Sequence, residues 1–222
     1  MSMSVRPVIR KALALAAVCA AGCVSKAPLA VQSFTIDPPA PSAAVDRAGA
    51  VVVSMARVRM APPYAGTSFT YRMGGHRVER DSYATFAAPP GWMLTAAVRG
   101  YLRNADFIRD VVEPGGELPV AASIETDGGV LTADLAEAAE PTAVLALTFR
   151  VYTPAAGATL EKEMFRKTYT RSLPLEQRDA DAIAAAWNRE LAEIADEFLA
   201  DLRPLLMPAP ASTPASTPTP TP

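Results

Sequence analysis

Hydrophobic and polar positions divide the chain into segments of different period. Val31-Gln32-Ser33-Phe34-Thr35-Ile36 is a short strand candidate inside a stretch, Lys26 to Arg47, otherwise rich in Pro, Ala and Ser. Ala50 to Met60, with Val51, Val52, Val53 and Val58, predicts a strand that ends at Pro62-Pro63. Phe69-Thr70-Tyr71-Arg72 and His76 to Arg80 flank Gly74-Gly75 and predict a hairpin. At Pro90 the period lengthens. Leu94, Val98, Tyr101 and Leu102 share one helical face, Pro89 and Pro90 precede it and Asn104 to Asp106 close it.

Strand signals resume at Phe107 to Val112. Leu118, Val120, Ala122 and Ile124 alternate on even positions, and after Gly128-Gly129 the apolar set moves to Leu131, Ala133 and Leu135 on odd ones. Either a bulge or a tight turn accounts for that change of phase. Leu145, Leu147, Phe149 and Val151 alternate cleanly, and Pro154 to Ala158 turns the chain into Glu161 to Arg171, a second hairpin. The returning strand is polar on both faces, with Phe165 and Tyr169 on one and Met164 on the other, which suits a sheet edge or a strand facing a partner. Last, Ile183, Trp187, Leu191, Ile194, Phe198, Leu202 and Leu205 form one helical stripe, opposite Asp181, Arg189, Glu193, Asp196 and Glu197. The stripe reads as a core face and the acids as a solvated one.

The two ends have a different character. Arg6, Arg10 and Lys11 precede an apolar run from Ala12 to Ala21. Ten helical residues rise about 15 Å, half of the ~30 Å of a bilayer core, so the run reads as the apolar part of an export signal and not as a span. Ala20-Ala21-Gly22-Cys23 follows and resembles a lipobox, with Ala20 in place of the usual Leu; it predicts cleavage before Cys23 and acylation of that cysteine. The expected divisions are a signal peptide over 1–22, a flexible tether over 23–30, one folded domain over 31–206 and a disordered Pro/Ala/Ser/Thr tail over 207–222. Val24 is not the Asp that favours inner-membrane retention in enteric bacteria, which points to the outer membrane.

Composition narrows the function classes. Of the 21 basic residues, Arg6, Arg10 and Lys11 leave with the signal while all 23 acidic ones stay, so the mature chain carries a net charge of −5. No cluster of Lys and Arg interleaves with aromatics, and a nucleic-acid partner is not expected. Charge would not hold this body on an anionic membrane, whereas acyl chains at about 0.8 kcal/mol per buried CH₂ would. Cys19 and Cys23 lie in one Ala-rich run and form no disulfide framework. The single histidine, His76, excludes every paired-His metal site and reads as a surface residue. There is no Gly-rich phosphate loop, no G-x-S-x-G elbow and no H-E-x-x-H. No metal, no cofactor beyond covalent lipid on Cys23, and no catalytic residue is expected. Tyr71 and Arg72 are a candidate partner contact, an aromatic beside Arg being typical of interfaces; a strand residue with a snorkelling neighbour is the plainer alternative.

The order of short motifs resembles the auxiliary lipoprotein components of ABC-type transport systems, a family that includes the lipoprotein of the paraquat-inducible pathway. The motifs are the lipobox, Phe34-Thr35-Ile36, Ala61-Pro62-Pro63-Tyr64, Phe69-Thr70-Tyr71-Arg72, Tyr83 and Pro89-Pro90 with the helix through Leu94 and Leu102. Leu131-Thr132-Ala133-Asp134-Leu135, Ala143-Val144-Leu145 and Ala186-Trp187-Asn188 with Leu191 complete the series. The resemblance implies an α+β domain with one antiparallel β-sheet and two α-helices packed on it, lipid-anchored at the periplasmic face of the outer membrane. It also implies a non-enzymatic accessory that acts with an MCE-domain protein and its ABC permease and ATPase to move lipids or other hydrophobic molecules between membranes. Homo-oligomerisation stays open. A structural or assembly lipoprotein of the outer membrane, similar to the lipopolysaccharide-assembly lipoproteins, is the alternative from another class.

Overall fold

The computed structural model describes residues 30–39, 50–116, 118–137, 140–153 and 162–207. The signal segment, Cys23, the tether up to residue 29, the turn at Pro154 to Ala158 and the tail from Pro208 lie outside them. All elements belong to the unit that begins at Val31. Eight strands and two helices follow in the order β1 (Gln32–Phe34), β2 (Val51–Met55), a 3₁₀ turn (Pro62–Tyr64), β3 (Ser68–Arg72), β4 (Val78–Phe86), α1 (Pro90–Asn104), β5 (Ile108–Val112), β6 (Ala122–Asp134), β7 (Thr142–Thr153), β8 (Lys162–Pro174) and α2 (Ala180–Leu206).

The strands form one mixed sheet, not the antiparallel one that the resemblance implied. β3/β4, β6/β7 and β7/β8 pair antiparallel, while β1/β4, β2/β5, β2/β6 and β3/β6 pair parallel. Hairpins can only make antiparallel neighbours, and the parallel pairs come from crossovers. The connection that carries α1 takes the chain from β4 to β5, beside β2. Strand β6 is the axis. Its start takes β2 (Val53 opposite Ala122), its end takes β3 (Tyr71 opposite Ala133), and Met60 bridges to Gly129 between them.

The change of hydrophobic phase at Gly128-Gly129 is a bulge within one strand: the β6/β7 register slips between Asp127 and Val130, and Gly128 adopts φ +62°. A β-carbon at Gly129 would stand 2.8 Å from Met60 Sδ and 3.3 Å from the Arg59 carbonyl oxygen, so the Met60 side chain would have to move. The β3/β4 hairpin forms at Gly74-Gly75, both at positive φ, and β4 runs on to Phe86, beyond the Arg80 limit read from the sequence. The alternation read at Leu118 and Val120 precedes β6, and Leu118 is exposed.

Both helices pack through buried stripes. Leu94, Val98, Tyr101 and Leu102 of α1 and Ile183, Trp187, Leu191, Ile194, Phe198 and Leu202 of α2 are buried, as the 3.6-residue period requires. On the sheet, Ala143, Leu145, Leu147, Phe149 and Val151 of β7 are buried on the side that α2 covers, while the alternate residues are half-buried, and α1 packs on β5. Phe198 stacks on Phe149 with ring centroids 4.0 Å apart, and Trp187 meets Phe69 at 4.7 Å and Phe86 at 5.5 Å. Pro90 opens α1, where its missing N–H is harmless, and the Asp179 carboxylate caps α2 by accepting the Ala182 amide at 2.8 Å.

Among the described residues β8 pairs with β7 alone and is an edge strand. Its polar character has an internal explanation. Lys167 and Arg171 face α2, where Lys167 pairs with Glu197 and Asp201 and Arg171 pairs with Glu193 and Glu197. Tyr169 donates to Asp201 at 2.7 Å. Glu193 and Glu197, read from the sequence as solvated, therefore join the helix to the sheet edge.

A strap from Phe34 to Pro39 runs past both helices. Asn188 accepts the Asp37 amide at 2.7 Å and donates to the Thr35 carbonyl at 3.3 Å, and the Tyr101 hydroxyl donates to the Pro39 carbonyl at 2.8 Å. Replacing Asn188 by Ala should cost about 1 kcal/mol per lost bond at most. Hydrogen exchange should show it first as faster exchange of the Asp37 amide; unchanged exchange there would mean that Asn188 does not hold the strap.

Candidate functional site

Of the residues expected to carry function, Cys23 lies outside the described residues. Tyr71 and Arg72 sit at the end of β3 and differ from each other. The Tyr71 hydroxyl donates to Asp81 Oδ2 at 2.6 Å across the hairpin, and Asp81 Oδ1 accepts the Tyr83 and Ala84 amides at 2.7 and 3.0 Å. Burial, then the bond to Asp81, pushes the phenol far above its ordinary range. Burial alone would raise the Asp81 carboxyl, but the bonds from Tyr71, Tyr83 and Ala84 outweigh it and hold the group below its usual range. The Tyr71–Asp81 bond thus ties the two strands of a bulged hairpin together, while Arg72 is exposed. His76 is exposed in the turn of the same hairpin.

Two features escaped the sequence reading. The first is Glu190, fully buried in α2 between Trp187 and Leu191 on the apolar stripe. Its Oε1 accepts the Leu173 amide at 3.0 Å, and its Oε2 has no partner among the described residues. Burial pushes this carboxyl up to about 8, so it is mostly protonated at neutral pH. A charged residue on an apolar stripe was the available signal.

The second is a hollow of about 370 Å³ beside the start of α1, floored by Thr95 and Ala96 and walled by Arg57, Trp92, Arg99 and Glu113. Trp92 falls off the α1 stripe and is 55% exposed. The Arg57 guanidinium stacks over its indole at 4.5 Å from the ring centre, an arrangement that holds both groups in place. Arg99 donates to Glu113 Oε1 at 3.0 Å and to the Met55 carbonyl at 2.6 Å, and its Nε is buried without a partner among the described residues. The Glu113-Pro114 corner separates this hollow from a second one of about 400 Å³, whose rim carries Leu118, 58% exposed. Two of the most exposed large apolar residues thus flank one cationic surface. The signal in the sequence was a Trp placed off its helix stripe.

In this hollow Arg57 and Arg99 present N–H donors and positive charge, with the Glu113 carboxylate and Thr95 also in the lining. Among the described residues no three His, Cys, Asp or Glu side chains gather as a metal site would need, and no helix is long and apolar enough to cross a membrane.

Solved structures share the fold. Protein XCC0632 from Xanthomonas campestris, assigned to family DUF330, is 17% identical with a TM-score of 0.60, over 78% of this chain and 93% of that one. An uncharacterized protein is 9% identical with a TM-score of 0.55, over 78% and 99%. No curated protein matches the chain. Residues 34–198, which run from β1 into α2 and hold every packing contact described above for Trp187, match the ABC-type transport auxiliary lipoprotein component family. The chain therefore belongs to the family of auxiliary lipoprotein components of ABC-type transport systems.

Proposed function

We propose that this protein is a non-enzymatic accessory subunit, acylated on Cys23 at the periplasmic face of the outer membrane. It docks an MCE-domain protein and, with that protein's ABC permease and ATPase, helps move lipids or other hydrophobic molecules between the membranes. The family match over residues 34–198 carries this reading. The surface supports a docking role over a carrying one. Its hollows, about 320 to 400 Å³, sit at the small end of the range for ligand pockets, about 300–1,000 Å³, and stay open to solvent.

Affinity purification of the acylated chain tests the partner. An MCE-domain protein should co-purify, and deletion of the gene should slow lipid exchange between the membranes. A β-barrel assembly partner in its place, or unchanged lipid traffic, would overturn the reading in favour of an envelope-assembly lipoprotein. Replacement of Cys23 by Ser should move the protein from the membrane fraction to the soluble periplasm, because one net-negative surface cannot replace two or more acyl chains. Retention in the membrane fraction would refute acylation at Cys23.

A further inference from the structure

We propose that the hollow between Arg57 and Arg99 binds an acidic, extended segment of a protein partner. One carboxylate sits against the two guanidinium groups, and a neighbouring apolar side chain covers the indole of Trp92. Three observations lead there. Arg57 has no ion-pair partner among the described residues, and its guanidinium is spread on Trp92. Arg99 gives one N–H to Glu113 and one to a backbone carbonyl, which leaves the walls of the hollow with one positive charge in excess: Arg57 and Arg99 against Glu113. That excess stands out on a mature chain whose net charge is −5.

The chemistry selects the partner. A carboxylate accepts from a guanidinium fork with better geometry than a neutral amide does. Trp and Arg are the residues that most often dominate binding energy when a partner seals them from water. A lipid tail would need an enclosed apolar lining, whereas Arg57, Arg99 and Glu113 line this hollow, and Glu113, Ser54 and Ser123 are among the residues that line the adjoining one. A peptide that combines acidic and apolar side chains would meet both: one carboxylate reaches Arg57 and Arg99, and apolar residues cover Trp92 and, beyond the Glu113-Pro114 corner, Leu118. The accessory-subunit reading enters only in identifying the partner as a subunit of the transport system.

The test uses the mature, acylated chain labelled with ¹⁵N in detergent. The probe is the acetylated, amidated peptide Leu-Asp-Leu-Glu-Phe, compared with its amide analogue Leu-Asn-Leu-Gln-Phe. The acidic peptide should shift the Trp92 indole signal and the amides around residues 56, 96 and 113. The amide analogue, and the Arg57→Ala variant, should each bind about tenfold more weakly. Arg57 is exposed and bonded to nothing in the core, so the variant folds; an unchanged spectrum outside the hollow verifies this. Equal binding of both peptides, no binding at millimolar peptide, or no loss with Arg57→Ala would overturn the proposal. So would dihexanoyl phosphatidylglycerol shifting the same signals at lower concentration, which would reassign the hollow to a lipid headgroup. Failure of the function is separable: a chain that binds the peptide but co-purifies no MCE-domain protein keeps the site and loses the role. Co-purification of an MCE-domain protein by a parent chain that binds neither peptide keeps the role and loses the site.

Discussion

Replacement of Trp187 by Ala should destabilise the protein by about 3–5 kcal/mol, the range for truncating a buried aromatic side chain. Trp187 is fully buried where α2 crosses the sheet, against Phe69 of β3 and Phe86 of β4, and Phe34 of β1 reaches the same cluster through Phe69. Its Nε1 donates to the Thr132 carbonyl of β6 at 3.0 Å. One side chain thus ties α2 to β3, β4 and β6, and its loss leaves both a cavity and a buried carbonyl without its donor. Ordinary domains are stable by about 5–15 kcal/mol, so the variant would lose a large share of its stability. Urea unfolding gives the measurement, with Trp92 as the remaining fluorophore. Trp187→Phe keeps an aromatic ring in the cluster but removes the N–H and part of the ring volume; a loss of about 1–3 kcal/mol is expected there. A loss below about 1 kcal/mol for Trp187→Ala would show that the aromatic cluster does not hold the helix on the sheet.

The second large effect is a pH dependence set by Glu190. Its folded-state value of about 8 lies above the ordinary 4.5. Between those values the folded chain holds a proton that the unfolded chain releases, so stability falls as pH rises through that window. Each unit is worth about 1.4 kcal/mol, which makes the total a few kcal/mol. The surrounding charges divide: Glu193 raises the group, whereas Arg189 and Arg171 lower it, as does the bond from the Leu173 amide. Glu190→Gln keeps an acceptor for that amide and cannot ionise. The variant should match the parent near pH 5, exceed it by a few kcal/mol near pH 9, and show a flatter profile between. A difference between parent and variant that does not change with pH would refute the burial account.

Periodicity made the two helices legible. Leu94, Val98, Tyr101 and Leu102, and the stripe from Ile183 to Leu202, are buried as read, and Leu205 at its end is half-buried, because residues spaced three and four apart share one face of a helix. The bulge in β6 left its mark as a change of hydrophobic phase, since side chains alternate with period two on either side of it. The direction of strand pairing was not legible. Whether β2 lies parallel to β6 depends on the path of the intervening chain, and a strand carries the same alternation in either orientation.

The candidate site was less legible than the fold. Arg57 and Trp92 lie far apart in the chain, and only the packing of α1 beside β2 brings them to 4.5 Å. Tyr71, an interface candidate by residue type, is committed to Asp81 by a bulge that its own sequence does not announce. Glu193 and Glu197, polar by pattern, meet Lys167 and Arg171 because β8 is the sheet edge over which α2 lies.

By itself the sequence determined the helices, most strands, the expectation of a lipid-anchored periplasmic subunit, and the family, because local period and motif order are written along the chain. Only the tertiary structure decided the mixed pairing around β6, the burial of Glu190 and the Arg57–Trp92–Arg99 hollow. Each of these depends on residues distant in sequence that share one low-dielectric interior or one surface, and no local pattern encodes that proximity.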